Sequence, residues 1–120
     1  MPDGPDVPAD LPSRDIAEVP ALEVVSTTAL HLMSAAAVHL GLAEDLPEHR
    51  DLDEARFLIE ALAGLLDAAV PRLGHHHAAP LRDGLRSLQL AFREASEVPD
   101  PPGEGPGERY TGPVYSPPAG

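Results

Sequence analysis

Apolar residues recur at helical spacing in three stretches of this chain. In the first, Leu22, Val25, Ala29, Leu32, Ala36 and Leu40 follow one another at intervals of three and four, the mark of one buried stripe on an α-helix. Val24, Met33, Ala35, Ala37 and Val38 widen that stripe beyond the ~100° arc a surface helix needs, so this helix is expected to be covered on several sides. The second stretch carries Ala55, Leu58, Ile59, Leu62, Leu65, Leu66 and Ala69, and the third Leu81, Leu85, Leu88 and Phe92.

Proline and capping residues set the expected boundaries. Between Ala21 and Ser96 proline occurs at Pro47, Pro71 and Pro80 alone, whereas both flanks are crowded with it. Because proline removes a backbone donor and breaks helix interiors, these three mark off three uninterrupted segments. Asp15 with Glu18, and Asp51 with Glu54, have the form of capping boxes, and Pro20 suits a first helical turn. Gly41 is placed to end helix one with Leu42 folding back on the last turn. Pro71 is expected to stop helix two, Arg72 to Ala79 to form a loop, and Pro80 to lie in the first turn of helix three. Gly64, in the middle of helix two, costs up to ~1 kcal/mol relative to Ala and so marks tight packing.

These boundaries predict an all-α protein, a small bundle of three helices with disordered Pro-rich N- and C-terminal tails. Residues 1–18 form an acidic Pro-rich arm, 19–96 the three-helix domain, and 97–120 a Pro/Gly-rich tail with a docking motif. The arm and tail hold too few large apolar groups to offset the entropy of ordering them. A core this small, built mainly from Leu, Val and Ala, leaves a lone copy marginal. The small residues Ser34, Ala35, Ala36 and Ala37 let another backbone approach closely. A homo-oligomer, most simply a two-fold dimer through helix one, is therefore expected.

Charge and composition narrow the function. The net charge is −12 and every basic residue is Arg, so the chain repels nucleic-acid phosphates and direct nucleic-acid binding is not expected. Cysteine is absent, which removes disulfides, thiolate metal sites and cysteine nucleophiles. Asp3, Asp6 and Asp10 at the start are opposite in sign to a signal peptide, so a cytoplasmic location is expected. Leu22 to Leu42 is close to the ~20 residues that span a bilayer. Glu23, His31 and His39, and a run of Ala, Ser and Thr, argue against a span, and no membrane partner is expected.

Candidate chemistry is sparse. His75, His76 and His77 are the one cluster of metal-capable side chains, but adjacent histidines diverge where zinc needs converging ligands. They define the alternative reading, a small-ligand or metal-binding protein using the His75–His77 loop, while no resident metal or cofactor is expected. His31 and His39 are eight apart and do not form the i, i+4 pair that chelates on a helix. Glu44, Asp45, Glu48, Asp51, Asp53 and Glu54 crowd an exposed linker with no cleft to raise a carboxyl pKa. Ser26, Thr27 and Thr28 stand beside no histidine and orienting acid, so no enzyme is expected. Partner contacts are assigned to Arg82, Arg86 and Arg93, which line one side of helix three around Gln89. Tyr110, Val114 and Tyr115 join them as apolar anchors in a Pro-restricted tail.

Three stretches resemble the domain of unknown function 1844 family, particularly its actinobacterial subgroup. They are His31 to Leu42 (HLMSAAAVHLGL), Asp51 to Arg56 (DLDEAR) and Leu81 to Ala95 (LRDGLRSLQLAFREA), with Gly105 to Val114 (GPGERYTGPV) similar to the same subgroup. The resemblance covers most of the chain from Ile16 to Tyr115. It implies a small helical bacterial cytoplasmic protein with no assigned reaction and no catalytic residues. It also implies a link to translation, because members of this subgroup are often encoded near translation initiation factor three. An acidic helical protein of this kind is suited to basic ribosomal proteins.

Overall fold

Helix α1 (Ala21–His39) begins immediately after Pro20 in the computed structural model, which describes residues 20–43 and 47–115. The arm at 1–18, its Asp15–Glu18 box, Glu44, Asp45 and the last five residues lie outside the described residues. At the other end of α1 the amide of Gly41 donates to the Val38 carbonyl and that of Leu42 to the Ala37 carbonyl, both at 3.0 Å. These two bonds form a Schellman closure and satisfy carbonyls the helix leaves free. A single 3₁₀ turn, Pro47–His49, then leads to α2 (Leu52–Leu73).

Asp51 caps α2, its Oδ1 accepting from the amides of Asp53 and Glu54 at 3.1 and 3.2 Å. The reciprocal half of the expected capping box is taken by the end of α1, since the Asp51 amide donates to the His39 carbonyl at 2.7 Å. The His39 ring adds Nδ1 against the His49 carbonyl at 2.9 Å, so α1 is stitched to the start of α2 from both ends of one residue. Removing the cap carboxylate leaves two first-turn amides without a partner.

The largest departure from the sequence expectation lies between the second and third helices. No loop spans Arg72 to Ala79: α2 continues through Pro71 to Leu73, and α3 (His75–Ala95) starts one residue later with Pro80 inside it. Gly74, at φ +80°, is the whole connection. A non-glycine residue is strained at that angle. Its amide donates to the Val70 carbonyl at 3.3 Å, closing α2, and its carbonyl accepts from Ala78 at 3.0 Å, opening α3. Each proline forfeits one helical bond, and burial of Leu73 and Ala78 on either side of the glycine offsets that loss.

Helices α2 and α3 form a pair whose facing side chains are Ile59, Leu62 and Leu66 on α2 and Leu81, Leu85, Leu88 and Phe92 on α3, all buried. Helix α1 packs against both members of this pair. There the Met33 methyl lies against Gly84, in the space a Cβ would take. The fold is thus the expected all-α three-helix bundle.

The opposite side of the pair is not bare. Residues 97–115, which composition assigns to a disordered tail, lie folded along it, with a one-turn helix α4 (Glu108–Thr111) and Pro106, Gly107 and Val114 buried. Specific side-chain bonds from α2 and α3 hold a segment too poor in apolar groups to order by itself. Asp51→Ala is expected to lower stability by about 1 kcal/mol through loss of the cap, and Leu62→Ala by about 2–5 kcal/mol through a core cavity. Urea unfolding followed by helical circular dichroism checks both.

Candidate functional site

Glu60 and Gln89, facing each other across the α2–α3 groove, hold the C-terminal segment in place. The Glu60 carboxylate divides its work: Oε1 accepts from the Gly107 amide at 2.6 Å, and Oε2 pairs with Arg109 Nε at 2.9 Å. Gln89 is 2% exposed. Its Nε2 donates to the Pro106 carbonyl at 3.0 Å and to Thr111 Oγ1 at 3.2 Å. The backbone between Pro106 and Gly107 is therefore gripped on its carbonyl from one helix and on its amide from the other. Gly107 sits at φ +78°, and a Cβ there would lie 2.7 Å from that of Ala63. Only glycine meets both the angle and the close approach.

Further contacts run the length of the segment. The Asp100 carboxylate pairs with Arg56 at 3.0 Å while its carbonyl accepts from Arg93 Nη1 at 3.0 Å. Glu108 Oε1 accepts from the Gly103 amide at 2.6 Å, closing the turn that carries the chain into α4. Arg86 Nη2 reaches the Val114 carbonyl at 3.4 Å, and the Arg93 guanidinium stacks 4.0 Å from the Tyr115 ring centre. The Tyr110 ring lies over Gly64, where a Cβ would come within 3.3 Å of both Cζ and Oη. The tight packing expected at Gly64 is thus against the C-terminal segment.

Of the six residues assigned to partner contacts, five make these intramolecular contacts: Arg86, Arg93, Tyr110, Val114 and Tyr115. Arg82 lies on the wall of a cleft of about 520 Å³ that continues the groove past Tyr110, with Asp67, Asp83, Arg86 and Val114 around it. The arrangement holds a segment of the chain itself in a turned conformation: its backbone donors and acceptors meet buried or half-buried side chains, and its flanking positions meet charge and aromatic contacts.

His75, His76 and His77 occupy the first turn of α3 and are exposed, with the rings of His76 and His77 perpendicular and 6.3 Å apart. Among the described residues no three His, Cys, Asp or Glu side chains come together as a metal would need. His31 is exposed and His39 half-buried.

Sequence reasoning missed Glu60, Arg56 and Asp100 as holding residues, and gave Gln89 no role. The available signal was the alternation of glycine with Glu and Pro from Gly103 to Glu108, too regular for a plain linker, opposite a helix face of three arginines.

Fold and groove together define a small helical bundle whose own C-terminal peptide is docked beside its core. The chain belongs to the domain of unknown function family numbered 1844, whose family model matches residues 21–94, α1 to the last turn of α3. Neither the curated proteins nor the solved structures provide a match. The docked peptide lies wholly beyond the matched residues, while the groove that receives it lies within them.

Glu60→Ala removes both bonds to the segment at Gly107 and Arg109. Trypsin is expected to cleave after Arg109 several-fold faster in this variant than in the unmodified protein, at unchanged helix content, as followed by mass spectrometry and circular dichroism.

Proposed function

We propose that this is a small non-catalytic interaction protein that works in the cytoplasm and self-associates through α1. The observation that carries the reading is the exposure of α1: Leu22, Val24 and Leu30 are 43%, 40% and 53% exposed, and Ala29 and Ala36 are its buried residues. Of the eleven apolar positions that predict a helix covered on several sides, Leu22 and Val24 are exposed and six more are only half-buried in a single copy. Burying such a surface between two copies contributes roughly 25 cal/mol per Å² of apolar area removed from water.

Charge favours a second copy as the occupant. The chain carries −12 overall, yet among Asp, Glu, Lys and Arg α1 contains Glu23 alone. Two copies meeting along α1 bring together the one long surface where like-charge repulsion is weakest. Ser34 and Thr27, on the outward side, are small enough for two backbones to approach. By length and composition α1 would also reach across a bilayer. A bilayer with anionic headgroups is the poorer match for so acidic a chain, and α1 carries no Lys or Arg to meet those headgroups.

The acidity of the remaining surface suits a basic protein as a further partner, which is how the link to translation implied by the family subgroup would act. Sedimentation at tens of micromolar is expected to give twice the 12.6 kDa chain mass. Leu30→Glu, which places charge in the contact without touching the core, is expected to return the single-chain mass. A single-chain mass for the unmodified protein at that concentration would remove the self-association reading.

A further inference from the structure

The groove occupied by residues 103–115 has the properties of a site whose occupant can be exchanged. We propose that the α2–α3 groove is a peptide-binding site, that the C-terminal strap is its resident occupant and leaves it without unfolding the bundle, and that a Pro-Gly-Glu-Arg-Tyr segment from a second molecule, folded into the same turn, takes its place. This surface lies across the α2–α3 pair from α1, so the inference stands independently of self-association.

Three observations support departure of the strap as a unit. The connection between α3 and the strap is Glu97, Val98 and Pro99, all exposed, with Val98 86% exposed. Nothing in the bundle core passes through it. Two ion pairs that hold the strap lie at the surface, with 69% of the Arg109 side chain and 44% of the Arg56 side chain exposed. Such pairs are weakened by salt and by competing ions. The closed state also carries a fault at its centre: Gln89 Oε1 is buried with no hydrogen-bond partner among the described residues. The amide cannot be turned over to repair it, because Nε2 is needed to donate to the Pro106 carbonyl. An unpaired buried acceptor disfavours the closed state and is solvated once the strap lifts.

Recognition in the groove specifies what a competing occupant must carry. It needs a carbonyl for Gln89 Nε2, a residue without a Cβ at the position of Gly107, whose amide reaches Glu60 Oε1, and a guanidinium two residues on for Glu60 Oε2. An aromatic ring must follow to cover Gly64. These demands select a Pro-Gly-x-Arg-aromatic peptide that turns at the glycine, and a peptide with any side chain at the glycine position is excluded. The surface charge of the wall residues Arg82, Asp67 and Asp83 adds selectivity beyond the aromatic position.

The test is made simple by the composition, since the chain has no Trp and its two tyrosines, Tyr110 and Tyr115, are both in the strap. Near-ultraviolet circular dichroism of tyrosine therefore reads the strap, and the far-ultraviolet signal reads the helices. In full-length protein carrying Gly107→Val, the tyrosine signal is expected to collapse while the helical signal and its cooperative melt persist. Arg109→Glu provides a second opened variant that leaves the groove untouched. A fluorescently labelled peptide of residues 101–115 is expected to bind both opened variants, and to bind the unmodified protein at least tenfold more weakly because the resident strap competes. The same peptide carrying Gly107→Val is expected not to bind. Loss of the helical signal together with the tyrosine signal in both variants would overturn the proposal, as would failure of the labelled peptide to bind an opened, folded variant.

Discussion

Packing of α2 against α3 is the constraint on which everything else in this protein rests. Gly74 turns the chain within a single residue, so Leu73 and Ala78 are buried on either side of the corner and the two helices are forced to run back along each other. Their shared seam, from Ile59 to Leu66 on one side and Leu81 to Phe92 on the other, holds most of the large apolar side chains buried among the described residues. Two surfaces remain beside that seam. One receives α1, with Met33 against Gly84, and the other receives the C-terminal strap, with Pro106 and Gly107 between Glu60 and Gln89.

The two surfaces are built by different physics. The α1 side is apolar and uses Ala29, Ala36 and Leu40, so its strength scales with area removed from water. The strap side buries Pro106, Gly107 and Val114 and otherwise depends on directed bonds from Glu60, Gln89, Arg86 and Arg93. Directed bonds of this kind specify one register of the peptide and lose strength together when the register is lost. An apolar helix left half-covered and a peptide held by polar clasps are the two features behind the proposed reading as an interaction protein.

Much of the bundle was legible in the sequence because periodicity and capping act locally. The three apolar stripes, the Asp51 cap and the Gly41–Leu42 closure are each decided by residues a few positions apart, and each stands where the pattern puts it. The corner at Gly74 was not legible. Proline argues for a break at Pro71 and a start at Pro80, and only the burial of Leu73 and Ala78, a tertiary effect, carries the helices through both. The strap was hidden for a related reason. Its composition is that of an unfolded tail, and its order comes from Glu60 and Gln89, which lie 47 and 17 residues away from the groups they bind. The glycine at position 64 was a further sequence clue that pointed across that distance, since a glycine in mid-helix marks a partner packed closely on it.

The central claim is that the strap belongs to the folded protein because Glu60 and Gln89 grip the Pro106–Gly107 peptide. Amide hydrogen exchange at Gly107, resolved by nuclear magnetic resonance, tests this most directly. The account predicts an exchange rate well below that of an unstructured glycine, yet faster than at Ile59 or Leu85 in the seam. Exchange at Gly107 as fast as in a free peptide of the same sequence would contradict it.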